Sequence, residues 1–216
     1  MTDGKPWIEH SDVFSLFPTL VWKIQVEAGV RESIGASVLA LLHSLRQGMP
    51  ELKAGEAWQS GVALHTREEL RELCGCVSRA AASVLQFLKI GAEAIEITGC
   101  WANLYAPGAA HRQHCHPNNY LSAVYYVSTW PNADTISFHD PRSQAGVMRP
   151  PVTQLTDANT DQVVVRVKNG TLLVFPSYLH HSVDANGSGE IRASVSFNLM
   201  FSAFTAALSK PMWGEE

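Results

Sequence analysis

No apolar run in the 216 residues approaches the roughly 20 needed to span a bilayer, so no membrane partner is expected. The segment 1–10 carries Asp3, Lys5 and Glu9 in place of a signal peptide's apolar core. Basic residues do not predominate: 16 Lys+Arg against 20 Asp+Glu give a net charge of −4. A binder of the nucleic-acid backbone shows the opposite bias. Cysteine is scarce, and Cys74, Cys76, Cys100 and Cys115 have neither disulfide nor zinc spacing. Reduced thiols and a cytoplasmic location are the expectation. No glycine-rich phosphate loop and no Ser/His/Asp order is visible. Cys115, between two histidines, points to the opposite strand face from both, which sets nucleophilic catalysis aside. What is present is a globular balance, 46% apolar and 17% charged.

Period-two alternation at Leu20, Trp22, Ile24 and Val26 predicts a strand. Ile34, Val38, Leu41, Leu42 and Leu45 recur at helical spacing, predicting a helix from Val30 to Gln47 that Gly48 and Pro50 stop. A polar loop to Gly61 follows. A second helix is predicted from a capping box, Thr66 with Glu69, and carries the stripe Leu70, Leu73, Val77, Ala81, Val84 and Leu88 up to Gly91. Beyond residue 95 the rhythm changes to short runs separated by turn residues. Strands are predicted at 95–105, 113–116, 121–129, 135–139, 162–167, 171–175, 181–184 and 192–201. Asn186-Gly187 and Ser188-Gly189 mark a turn before the last of them.

Helices first and about eight strands afterwards predict an α+β, mainly β chain: a jelly roll with helices on one sheet. Residues 1–94 read as an N-terminal strand and helical support and 95–216 as the β core, together one integrated domain. The helices could also make a homodimer contact.

Histidine carries the chemistry. Six of the nine (His111, His114, His116, His139, His180 and His181) lie in the second half. Residues two apart in a strand share a face, so His114 and His116 can aim two imidazoles at one transition-metal ion. His180 or His181 can add a third from a distant strand. Arg192 opens an apolar run that has no other charge as far as Phe201. Burying it unpaired is expensive, so it demands an anion: a bound carboxylate, or an acid such as Asp140 or Glu96.

These residues carry a resemblance. The stretches HCHPNNYLSAVYYVSTW, ISFHDP, GTLLVFPSYLHHSV and RASVSFN, over about residues 100–201, resemble the double-stranded β-helix core of 2-oxoglutarate- and iron(II)-dependent oxygenases. They are most similar to an uncharacterised bacterial and phage group, and FPTLVWK is similar to that group's opening segment. The resemblance implies a jelly-roll barrel with Fe(II) at its mouth, 2-oxoglutarate as cosubstrate, O2, and a substrate it does not name. It implies His114 and His181 as iron ligands, with His180 facing away. Arg192, Ser194 and Tyr126 would hold the far carboxylate of 2-oxoglutarate, and Asn103 would face the pocket.

One departure stands out. The superfamily's usual first pair is His-x-Asp or His-x-Glu, completing a two-histidine, one-carboxylate face, and here the slot holds His116. The third ligand is His116, which shares the strand face of His114, or Asp140 from the end of the ISFHD strand. A neutral third ligand leaves the centre one unit more positive. Two other functions fit the same residues: a cupin-like three-histidine metalloenzyme that does not use 2-oxoglutarate, and a non-catalytic metal- or small-molecule-binding protein. The loops at about 50–65 and 141–160 carry no substrate motif, and the Pro-rich and polar stretches of the second read as a lid.

Overall fold

Along Arg192–Phe201, every second side chain is apolar and faces one way: Ala193, Val195, Phe197 and Leu199, all buried. The intervening Arg192, Ser194 and Ser196 line a cavity on the other face. This alternation on one strand separates the protein's core from its chemistry, and the neighbouring strands repeat it. The structure is a computed structural model that describes residues 7–91 and 94–207. Expectations touching residues 1–6, 92–93 and 208–216, including the charged N-terminus and the end of the β core, lie outside the described residues.

Among the described residues, ten strands form two antiparallel sheets. They are β1 (Trp22–Gln25), β2 (Ala57–Gln59), β3 (Ile95–Tyr105), β4 (His111–His114), β5 (Leu121–Ser128), β6 (Thr135–His139), β7 (Gln162–Arg166), β8 (Thr171–Pro176), β9 (His181–Val183) and β10 (Arg192–Phe201). The major sheet runs β1-β8-β5-β10-β3-β2 and the minor sheet β4-β9-β6-β7. The outer face of the major sheet is covered by α1 (Ala28–Arg46) and α2 (Arg71–Phe87). Ile34, Val38 and Leu41 of α1, and Leu73, Val77 and Val84 of α2, share one core with Tyr125, Leu172, Val195 and Phe197. A second, smaller core between the sheets joins Tyr126, Ile136, Phe138, Leu173 and Phe175. The helices thus stiffen the sheet whose other face builds the site.

The predicted strands 95–105, 135–139 and 192–201 form with those bounds. Others differ for physical reasons. The loop before Gly61 contains β2, whose three residues pair with β3. The predicted capping box does not form. Instead Leu64–Thr66 and Glu68–Leu70 are 3-10 turns, and α2 starts after Leu70 with no side-chain cap. The Thr66 hydroxyl donates back to Ala63 O, and Glu69 pairs with Arg67. In α1 the side chain of Glu27 accepts from Gly29 N and Val30 N, supplying the anionic N-terminal partner that helices favour. Leu88, predicted on the buried stripe, is 36% exposed, because the helix has already ended.

Candidate functional site

The ladder between β4 and β9 pairs His114 directly with His181. Their ring centroids lie 4.3 Å apart. The expected reason for including His116 needs correction: β4 ends at His114, so His116 lies beyond the strand rather than on its face. A backbone bond from His116 N to Ser177 O instead turns the chain back. The His116 ring packs near Trp101 at 5.5 Å and lies 5.2 Å from His181. One nitrogen from each of His114, His116 and His181 falls within 4.8 Å of the others. Two donors sharing an ion at bonds of about 2.1 Å are at most about 4.2 Å apart, so small ring rotations bring all three to one ion.

Hydrogen bonds orient two of the rings. His114 Nδ1 lies 2.8 Å from Arg112 O, and His181 Nδ1 lies 2.9 Å from Leu179 O. A carbonyl only accepts, so each Nδ1 carries the proton and each Nε2 keeps its lone pair for a metal. Burial, with repulsion from the neighbouring imidazoles, lowers His116 to about 4 and His181 to about 3. Both rings are therefore uncharged at neutral pH, the form a metal requires.

Deeper in the cavity, Arg192 is 3% exposed. Its guanidinium carbon lies 5.2 Å from the centre of the Tyr126 ring, a cation–π contact. The Nε of Arg192 and the hydroxyl of Tyr126 are buried without hydrogen-bond partners among the described residues. Burial pushes Tyr126 up to about 12, against the pull of the adjacent guanidinium. Arg192 makes no ion pair among the described residues, which leaves its demand for an anion open. Ser194 and Asn103 line the same cavity. They are register partners across β10 and β3, and Ser194 also pairs with Tyr126 across β10 and β5. The Asn103 amide donates to Ser196 Oγ at 3.0 Å.

Asp140 does not join the histidines. Arg142 holds its carboxylate through two side-chain bonds of 3.0 and 2.7 Å, and lowers its pKa through them. It lines a separate cavity of about 390 Å³ with Met148, Val152 and Leu155 from the loop expected to act as a lid. His180 is exposed, and its carbonyl accepts from His139 N. Residues 50–65 contribute nothing to the lining of the histidine cavity. Among the side chains that sequence reasoning left without a role, Tyr105 and His111 line it.

A family model described as "Putative 2OG-Fe(II) oxygenase" matches residues 99–198, the span that supplies the three histidines, Arg192, Ser194, Tyr126 and Asn103. Residues 99–198 thus match the 2OG-Fe(II) oxygenase family. This match and the shared fold support an oxidoreductase that uses iron(II), 2-oxoglutarate and O2, and the resemblance to the superfamily read from the motifs is borne out. Solved structures share the fold. A prolyl hydroxylase from Trichoplax adhaerens, in complex with a hypoxia inducible factor peptide fragment, aligns at TM-score 0.60 and 16% identity over 88% of this chain and 87% of that one. The carbocyclase SnoK of nogalamycin biosynthesis aligns at 0.62 and 17%, over 91% and 90%. HygX from Streptomyces hygroscopicus, with nickel and 2-oxoglutarate bound, aligns at 0.58 and 13%, over 85% and 83%. No curated protein matches the sequence. The double-stranded β-helix expected from the motifs is the fold of the chain.

Proposed function

We propose that the oxygenase holds its iron(II) with His114, His116 and His181 and its 2-oxoglutarate with Arg192, Tyr126 and Ser194. When bound, the metal and the 2-oxo acid supply the oxidising chemistry, and the protein positions and shields it. The donor set fits the metal: three imidazoles, two with Nδ1 tied to carbonyls, converge within 4.8 Å, and imidazole suits iron. The carrying observation is Arg192, buried and unpaired, with an orphaned Nε beside an orphaned Tyr126 hydroxyl. A carboxylate placed there satisfies both groups at once, and guanidinium geometry favours the bidentate form.

Each chain group has a role toward that carboxylate. Arg192 neutralises and orients it, the Tyr126 phenol stays protonated and donates, and Ser194 donates from the neighbouring strand position. Asn103, linked to Ser196, lines the same cavity. The central space is tight, about 30 Å³, so a five-carbon dicarboxylate enters only as side chains shift. Arg192 is held on the Tyr126 ring by a cation–π contact rather than an ion pair. The pocket walls of Trp101, Val124, Ile136 and Val183 limit water at the centre.

With His116 in place of a carboxylate, the protein ligands contribute no negative charge. The 2-oxo acid and its far carboxylate then carry the compensation for both the metal and Arg192. The test is anaerobic calorimetry of the iron-loaded protein with 2-oxoglutarate, followed by measurement of succinate released under O2 without added substrate. Binding with slow succinate release supports the reading, and absence of binding removes 2-oxoglutarate from it.

Two finer points belong to the same proposal. The four free thiols support a cytoplasmic location, and no helix among the described residues is long and apolar enough to cross a membrane. Leu39 on α1 and Phe87 on α2 are exposed, which supports a homodimer through the helical face. We also keep the span 1–94 as an integrated support for the β core, because β1 and β2 are the edge strands of the major sheet.

A further inference from the structure

A fourth imidazole stands against the three. His111 opens β4 and His114 closes it, three residues later. In a regular strand, residues three apart face opposite sides of a sheet. Here both rings face the same cavity, because the β4–β9 register shifts between His111 and His114. Such an irregularity re-aims side chains and is frequent beside active sites. Its result is a parallel stack, with centroids 4.2 Å apart and planes within 12°.

His111 is itself held. Its Nδ1 lies 2.6 Å from the Tyr105 hydroxyl, and Tyr105 is 5% exposed on β3, opposite Arg192 in register. The donor cluster consists of the other three histidines and excludes His111. His114 is thus fixed at one edge by the Arg112 carbonyl and on one face by His111, whose own rotation the tyrosine restrains.

We propose that His111, anchored by Tyr105, is a positioning residue that sets the orientation of His114 and through it the tightness of the metal grip. The inference rests on the assignment of His114 as a ligand. Partners that orient a metal-binding imidazole commonly govern affinity about as strongly as 10- to 100-fold. Here the device is a stacked ring added to the usual carbonyl.

The experiment titrates cobalt(II) into the metal-free protein without turnover and reads the visible absorption of the bound ion. His111→Ala is expected to weaken cobalt binding about 10- to 100-fold and to shift the absorption bands as the His114 ring loosens. His111→Phe keeps a flat ring on His114 and is expected to recover most of that affinity. Tyr105→Phe, which frees the His111 ring, is expected to shift the bands and fall between wild type and His111→Ala. Wild-type affinity and spectrum in both His111→Ala and Tyr105→Phe overturn the proposal. Should His111→Ala fail to fold, Tyr105→Phe decides alone. His181→Ala separates the two claims: if it binds cobalt like the wild type, or if the wild type binds none, the ligand assignment falls and this inference falls with it. Loss in His181→Ala with no change in the His111 and Tyr105 variants overturns this inference only.

Discussion

The guanidinium of Arg192 lies on the face of the Tyr126 ring, 5.2 Å from its centre, with both polar groups facing a cavity that no acid lines among the described residues. Two adjacent strands, β10 and β5, thus bury a cation and a phenol with no protein anion between them. A buried charge without a partner costs stability, so the arrangement trades folding free energy for readiness to bind an anion.

Arg192→Met tests that trade from both sides. Loss of a charge-assisted bond of about 1.5–3 kcal/mol weakens 2-oxoglutarate binding roughly 10- to 100-fold, with cobalt affinity unchanged. The metal-free variant melts no lower than the wild type, since an uncompensated buried charge has gone. Calorimetry and a thermal scan check both halves. Unchanged 2-oxoglutarate binding favours instead the cupin-like reading, in which Arg192 serves another acid.

Protonation acts through the imidazoles. The folded-state pKa values of His116 and His181, about 4 and about 3, lie below the unfolded value near 6.5. The unfolded chain therefore binds more protons between those limits, and stability falls as pH drops from about 6.5 toward 4. Above 6.5 the two groups add no pH dependence. Urea midpoints of metal-free wild type and His181→Leu across that range measure it, and the wild-type slope should be the steeper. Parallel slopes contradict the buried neutral state of His181.

The layer between helices and sheet makes a stability prediction. Phe197 is fully buried in the core that joins both helices to the major sheet. Phe197→Ala should cost about 3–5 kcal/mol by removal of the ring and the cavity it leaves. A cost below about 1 kcal/mol, the scale of a lightly packed surface position, contradicts the packing of that layer.

Thr66→Ala addresses the missing capping box. A functioning cap is worth about 1 kcal/mol, whereas the observed bond from Thr66 to Ala63 O closes only a 3-10 turn. The variant should lose less than about 0.5 kcal/mol, on the scale of ordinary surface substitutions. Chemical denaturation measures it, and a loss near the full cap value restores the box.

These particulars show what was readable in advance. Strands β3, β6 and β10 were legible residue for residue, because each is a short run rich in apolar residues set off by turn residues. The convergence of His114 and His181 was legible from spacing and motif. The role of the chain beyond His114 was not, because His116 reaches the cluster through a backbone bond to Ser177 rather than through strand alternation. Nor was β2 legible: three residues with one half-buried tryptophan show no period, and they become a strand only by pairing with β3. The stack of His111 on His114 depends on a register shift set by β9, and a shift between partners leaves no mark in either strand's own sequence. Thr66 and Glu69 had the spacing of a cap, but Arg67 captured the glutamate first.

The account is tested most directly by anomalous scattering from a crystal grown without oxygen in iron(II) or cobalt(II) and 2-oxoglutarate. It predicts one metal peak about 2.1 Å from a nitrogen of each of His114, His116 and His181, with a carboxylate of the 2-oxo acid against Arg192. A peak bonded to Asp140 in place of His116, or a dicarboxylate that leaves Arg192 on the Tyr126 ring with no anion beside it, contradicts it.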